Sequence, residues 1–160
     1  MSPAGSAVVV TCSTRAACGV YADRSGPIVV AALREWGFDV SEDLVEDGPQ
    51  VEAALRAALS RDVDLVLTTG GTGLTPGDGT PEATLAVIDR LVPGIAEAIR
   101  AAGVAAGVPT AMMSRGVAGL AGTTLVVNLP GSTGGVRDAM AVLHPVLAHA
   151  LSQIHGGDHG

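Results

Sequence analysis

The sequence predicts an α/β domain, a three-layer sandwich with a mostly parallel central sheet. Short apolar runs, rich in β-branched residues, alternate along the chain with segments whose apolar residues recur at helical spacing. Turns rich in Gly, Ser, Thr and Asp follow three of the runs, after residues 13, 69 and 128. Because ligands bind beyond the carboxyl ends of strands in such sheets, we expect a site where these turns converge.

Four apolar runs predict the strands. The runs at 6–13 and 63–69 are almost entirely apolar or β-branched, which is typical of strands buried on both faces. The run at 38–45 alternates only weakly and predicts a less buried strand. The run at 123–130 predicts a strand that stops at its proline.

Five segments predict helices, at 26–37, 49–60, 80–91, 93–103 and along the apolar face from Val136 to Ile154. The third begins with Thr80, Pro81 and Glu82, which predict a hydroxyl N-cap, a proline at N1 and an acid in the first turn. Pro145 lies inside the last segment, where we expect a kink or a break.

Length and composition limit the kind of protein. The 160 residues predict one domain over 1–155, followed by a disordered tail over 156–160. A net charge of −7 argues against nucleic-acid binding, because phosphate backbones require a basic face. No apolar run approaches the ~20 residues of a membrane span, and the N-terminus lacks the basic start of a signal peptide. We therefore expect a cytoplasmic protein without a membrane partner.

The stretch LVLTTGGTGLTPGDGTPEAT, residues 65–84, resembles a phosphate-binding loop that has no lysine. Glycines at 70, 71 and 73 let the backbone approach a ligand closely. Neither P-loop nor GxGxxG spacing is present, and the loop offers the carboxylate of Asp78 instead. A carboxylate among phosphates suggests bound Mg²⁺. From composition alone, a glycine-rich turn with a solvated aspartate is an equal alternative.

Several segments carry a family resemblance. TTGGTGLTPGDGTPEAT (68–84), STRAACGVYADRSGP (13–27), VPTAMMSRGVAG (108–119) and LVVNLPGST (125–133) resemble, in this order, the motifs of the MoaB/Mog molybdenum-cofactor family, which includes the gephyrin G domain. The resemblance implies a molybdopterin-binding fold. It also implies transfer of AMP from Mg-ATP to the terminal phosphate of molybdopterin, with release of pyrophosphate. A homotrimer or hexamer and a molybdate-insertion protein as partner are further implications.

The resemblance also implies roles for individual residues. Asp78 and Asp47 match acidic positions that are catalytic and hold the metal, and Ser132 matches a serine on the pterin side. The remaining residues implied in substrate or nucleotide binding are Thr14, Gly70, Gly71, Thr72, Gly73, Thr80, Ser114, Asn128, Pro130 and Gly131. Thr14 and Gly77 depart from the family pattern, which usually has an aspartate and often a basic residue there.

Alternatives remain for these residues. Asp47 and Ser132 each precede a predicted helix and could be N-caps. Ser114 and Arg115 could contact a phosphate or form a surface ion pair. The two departures from the family pattern favour a non-catalytic molybdopterin carrier or scaffold as the alternative function. A nucleotide or pyrophosphate hydrolase is a third interpretation, which the loop pattern disfavours.

Overall fold

A six-stranded sheet forms the centre of the protein in the computed structural model, which describes residues 4–157. The strands are β1 (Gly5–Cys12), β2 (Phe38–Val45), β3 (Leu65–Thr69), β4 (Arg90–Leu91), β5 (Ala118–Ala121) and β6 (Thr124–Leu129). Their order across the sheet is β2-β1-β3-β6-β5-β4. The helices are α1 (Thr14–Ala17), α2 (Ser25–Glu35), α3 (Pro49–Leu59), α4 (Thr80–Val87), α5 (Pro93–Ala105) and α6 (Thr133–Ile154), with a 3-10 helix at Pro109–Met113.

The order of the strands places a switch point beside β1. β1 pairs in parallel with β2 on one side and with β3 on the other, and β3 pairs in parallel with β6. Among the described strands only β5 runs against the others, and it pairs antiparallel with both β4 and β6. The mostly parallel sheet is therefore confirmed. The loops that leave β1 and β3 diverge to opposite sides, which opens a crevice at their carboxyl ends.

Helices cover both faces of the sheet. On one face Val9, Leu67 and Val127 pack against α2, α5 and α6. On the other, Val8, Val66 and Val126 pack against α3 and α4. Because neighbouring residues of a strand point to opposite faces, uninterrupted valine and leucine runs supply both cores. The predicted three-layer sandwich is confirmed.

The predicted end of the third helix and the break considered for the last one are wrong. α4 ends at Val87 rather than near Leu91, because the chain becomes extended at Ile88. The amides of Asp89 and Val92 then donate to carbonyls of β5, and the intervening residues form the short edge strand β4. α6 is not broken at Pro145, which lies on the exposed side of the helix while Leu143 and Leu147 are buried.

Four elements of the structure were not predicted from the sequence: α1, the 3-10 helix, β4 and β5. Within residues 4–157, no helix is long and apolar enough to span a membrane. Of the predicted tail, Gly156 and Gly157 donate hydrogen bonds to carbonyls at the end of α6, and residues 158–160 lie outside the described part of the chain.

Asn128 joins the elements beneath the crevice. Its Nδ2 donates to the hydroxyls of Thr68 on β3 (3.0 Å) and Thr84 on α4 (2.9 Å). Its Oδ1 accepts from the amide of Val117 at 3.1 Å. The Thr84 hydroxyl in turn donates to the carbonyl of Thr80 at 2.8 Å. One buried amide on β6 therefore connects β3, the residue before β5 and, through Thr84, the start of α4.

We expect Asn128→Leu to lower the free energy of unfolding by about 2–4 kcal/mol, because several buried polar groups lose their partner together. Urea denaturation followed by circular dichroism measures this. A loss below about 1 kcal/mol would show that these groups find other partners and that the network is not a structural link.

Candidate functional site

The candidate site lies at the carboxyl ends of β1, β2, β3 and β6. The loops that follow these strands line two clefts, of about 540 and 670 Å³. The smaller cleft lies against the segment 11–25, which runs from the end of β1 through α1 to the start of α2. The larger lies against Asp78, α5, the 3-10 helix and the start of α6. The predicted convergence of three turns is confirmed.

Gly70, Gly71, Gly131 and Ser132 line both clefts, and we call this strip of residues the ridge. Gly70 and Gly71 have φ values of +84° and +68°, a conformation that favours glycine. A Cβ at Gly70 would overlap the carbonyl oxygen of Cys12, and one at Gly71 would overlap Oγ1 of Thr80. A Cβ at Gly131 would lie 3.2 Å from Cα of Gly70. The ridge is therefore close-packed backbone.

Asp47 faces the ridge from the smaller cleft. Its Oδ2 accepts from the amide and the hydroxyl of Thr14, both at 3.2 Å, and its amide donates to the same hydroxyl at 3.1 Å. Its Oδ1 is buried and has no hydrogen-bond partner among the described residues. The N-cap of α3 is Gly48, so Asp47 does not cap that helix. A buried carboxylate oxygen without a hydrogen-bond partner lowers the stability of the protein unless a ligand binds to it.

Asp78 faces the larger cleft from the loop between β3 and α4. Its Oδ2 accepts from the amide of Thr75 at 3.3 Å, and its amide donates to the carbonyl of Thr75 at 2.9 Å. Asp78 and Asp47 line different clefts, on opposite sides of the ridge. Over residues 4–157, no three His, Cys, Asp or Glu side chains group as metal ligands. A metal here would therefore need oxygens from a substrate.

Ser132 forms the N-cap of α6, where its hydroxyl accepts from the amide of Gly135 at 3.0 Å. The cap alternative is thus observed, and the residue also lines both clefts. α6 is 22 residues long, and its N-terminus points at the ridge. The partial positive charge of this helix end favours phosphate.

Most of the other implied binding residues line one of the two clefts, and two of them do not. Thr14 lines the smaller cleft, and Thr72, Gly73, Ser114 and Pro130 line the larger. Thr80 and Asn128 line neither cleft. Both are buried, and Asn128 is fully engaged beneath the ridge. The structure does not bring these two side chains to either cleft, because they point into the fold.

Thr80 is also not the N-cap of α4. The cap position is Gly79, and Thr80 is the first helical residue. Its hydroxyl lies below Gly71 and beside the thiol of Cys12, without a partner of hydrogen-bonding geometry. Burial raises the pKa of the Cys12 thiol to about 12, so this cysteine stays protonated and is not a nucleophile. Cys12 is buried and Cys18 is exposed, and both are free thiols.

Several residues of the site were not identified from the sequence. Asp23 accepts from the hydroxyl of Thr11 and the amide of Gly26, and Ser25 donates to the carbonyl of Gly131 at 2.5 Å. These contacts hold the first loop against the ridge. Arginines at 15 and 24 line the smaller cleft, and those at 100 and 137 line the larger. No spacing pattern in the sequence distinguishes these residues from surface charges.

The chain is similar to proteins of molybdenum cofactor biosynthesis. The family model described as "Probable molybdopterin binding domain" matches residues 8–149. The molybdopterin adenylyltransferase of Helicobacter pylori is 34% identical over 153 residues, which cover 92% of this chain and 86% of that protein. The molybdenum cofactor biosynthesis bifunctional protein of Synechococcus elongatus is 40% identical over 156 residues, and this chain spans 49% of its length.

A solved structure shares both the sequence pattern and the fold. The molybdopterin biosynthesis Mog protein from Mycobacterium ulcerans is 53% identical, with a TM-score of 0.90 over 93% of this chain and 98% of that chain. The family model includes both the glycine turn after β3 and the turn after β6 that form the ridge. This chain belongs to the MoaB/Mog family of molybdopterin-binding proteins.

Proposed function

We propose that this protein is a molybdopterin adenylyltransferase that acts in molybdenum cofactor biosynthesis. It transfers AMP from Mg-ATP to the terminal phosphate of molybdopterin and releases pyrophosphate. The observation that carries the proposal is the pair of clefts that share one ridge of backbone. Two substrates that occupy one cleft each would bring their phosphates together at the ridge, as a transfer between phosphates requires.

The reaction requires little covalent chemistry from the protein. An oxygen of the molybdopterin phosphate attacks the α-phosphorus of ATP, and the bond from that phosphorus to the bridging oxygen of the β-phosphate breaks. Pyrophosphate leaves with the bonding electron pair. The negative charge in the transition state is spread over phosphoryl oxygens, so positioning and electrostatics supply most of the rate.

Cations near the ridge replace the missing lysine. The chain contains nine arginines and no lysine. Arg15 and Arg24 line the smaller cleft, Arg137 lines the larger, and the N-terminus of α6 adds its positive end. These groups bind and orient phosphates in a protein whose net charge is −7.

The carboxylates of Asp78 and Asp47 fit Mg²⁺, a hard cation that prefers oxygen ligands and is usually bound through one or two carboxylates with substrate phosphates. The support is the buried Oδ1 of Asp47, which lacks a protein partner, and the position of the Asp78 carboxylate at the larger cleft. When bound, Mg²⁺ would neutralise part of the phosphate charge. Thr14 holds the Asp47 carboxylate in place.

In this proposal the protein acts in the cytoplasm as a homotrimer or a dimer of trimers, and its product passes to a molybdate-insertion protein. Exposed apolar side chains support an assembly, because homo-oligomer interfaces are more apolar than ordinary surface. They include Val20, Leu44, Leu85 and Leu91.

We expect Asp78→Asn to keep the fold and molybdopterin binding but to lower adenylyl transfer by roughly 10²-fold or more, because an electrostatic partner of the transition state is lost. Pyrophosphate release and adenylylated product, measured with Mg²⁺ saturating, report the rate. Turnover near that of the wild type would contradict the metal role of Asp78. A wild-type protein that binds molybdopterin yet releases no pyrophosphate would instead be a carrier.

Gly71→Val tests the ridge. The new side chain meets Thr80 and Asp47, and its positive φ adds about 1–3 kcal/mol of strain. We expect the affinities for ATP and for molybdopterin both to fall by about tenfold or more. Gly77→Val is the matched control, because nothing lies within 4 Å of a Cβ there. Calorimetric titration of each ligand, beside a thermal melt, measures the effect. Unchanged affinity for both ligands would exclude the ridge from binding.

Ser132 can be tested for its two roles separately. Ser132→Gly removes the hydroxyl at a capping cost of only a few tenths of a kcal/mol, whereas Ser132→Ala costs about 1 kcal/mol of stability. If the hydroxyl binds molybdopterin, both variants should bind it more weakly by about 1–2 kcal/mol and bind ATP almost normally. A lowered melting temperature in the alanine variant, with molybdopterin affinity intact in both, would leave Ser132 as a helix cap alone.

A further inference from the structure

The loop that carries Asp78 has few contacts of its own. Leu74 is 66% exposed, and residues 75–77 are exposed as well. Within the loop, two hydrogen bonds join Thr75 to Asp78. Gly77 and Gly79 flank the aspartate, and a Cβ at either position would meet nothing within 4 Å. Such a loop needs support from outside to fix its carboxylate.

Arg115 bridges the two ends of this loop. Its Nε donates to the carbonyl of Gly73 at 2.9 Å, and its Nη2 donates to the carbonyl of Asp78 at 2.8 Å. Its backbone amide donates to the carbonyl of Thr72 at 2.8 Å. One planar guanidinium therefore fixes the distance between the residue where the loop leaves the ridge and the residue that carries the carboxylate.

The remaining end of the guanidinium pairs with α4. Nη1 of Arg115 forms an ion pair with Glu82 in the first turn of that helix, and this hydrogen bond holds the pKa of Glu82 below its usual value. The ion-pair alternative for Arg115 is thus observed. Since protein acceptors already occupy three of its nitrogens, Arg115 is directed at the loop rather than at a phosphate.

Arg115 is itself held from both sides. Nη1 of Arg100, on α5, donates to the carbonyls of Gly116 at 2.8 Å and Ser114 at 3.3 Å. These are the two residues that flank Arg115 in the chain. A continuous set of hydrogen bonds therefore runs from α5 through the 114–116 segment to the loop, which places the loop relative to the body of the domain.

We propose that Arg115 is a positioning residue for adenylyl transfer, which holds the Asp78 carboxylate at the larger cleft by bridging the carbonyls of Gly73 and Asp78. The assignment rests on the proposed function of the site. Arg115 acts through Asp78 and touches no substrate. A lysine cannot replace it, because a single ammonium lacks the fork that reaches two carbonyls and a carboxylate together.

The test compares Arg115→Gln and Arg115→Lys with the wild type in the pyrophosphate-release assay. Both should lower kcat by roughly 10–100-fold, because a shift of about 1 Å in a catalytic group can cost 10²-fold. KM for each substrate should change little, and more Mg²⁺ should be needed for half-maximal rate. Arg56→Gln, which removes an exposed arginine paired with Glu52 on α3, is the matched control and should turn over normally.

A double-mutant cycle separates positioning from general stability. In the Asp78→Asn background, Arg115→Gln should cost little further activity, because the group it positions is already gone. Glu82→Gln keeps both carbonyl contacts and should lower kcat less than Arg115→Gln. Two results would overturn the proposal. One is that the losses of kcat in Arg115→Gln and Asp78→Asn add fully in the double variant; the other is that Glu82→Gln lowers kcat as much as Arg115→Gln does.

A readout without substrate distinguishes this proposal from the proposed function. Hydrogen exchange of the amides of Asp78 and Thr80, which bond within and beside the loop, should be faster in Arg115→Gln than in the wild type. Exchange in α3 should be unchanged. Unaltered protection of the loop amides would overturn the bridge even if the enzyme is active, and faster exchange would support it even if no adenylyl transfer is found.

Discussion

The close packing of backbone at Gly70, Gly71 and Gly131 is the constraint on which the rest of the site depends. Three parallel strands end together, and their loops approach so closely that Cβ atoms at Gly70 and Gly71 would overlap neighbouring atoms. The same approach creates two clefts with a common wall. The fold thus places two clefts back to back. In the proposed function, the reaction depends on which substrate occupies each cleft.

Binding of phosphates at the ridge requires local positive charge, because the protein carries a net charge of −7. The helix α6 directs its N-terminus at the ridge, and arginines line both clefts. In the proposed function, Asp47 and Asp78 lie beside phosphate ligands, and Mg²⁺ is the cation that would balance their charge. The hydroxyl of Thr14 and the guanidinium of Arg115 fix the segments that carry these two carboxylates.

The sequence predicts the layers, the parallel sheet and the glycine turns, because strand and helix periodicity and glycine punctuation are local signals. It cannot give the direction of Thr80 and Asn128, which belong to the quoted motifs but point into the fold. Nor can it give the Arg115 bridge, because Arg115 lies 37 residues beyond Asp78 in the chain. β4 has two residues and exists through its pairing with β5. Each of these depends on tertiary contacts.

Simultaneous binding tests the two-cleft account most directly. Molybdopterin would be titrated calorimetrically into the protein alone and into the protein saturated with a non-hydrolysable ATP analogue and Mg²⁺. The account predicts that molybdopterin still binds, at a separate site, to the protein that already holds the analogue. Competition between the two ligands, with each excluding the other, would show that they share one cleft and would contradict transfer across the ridge.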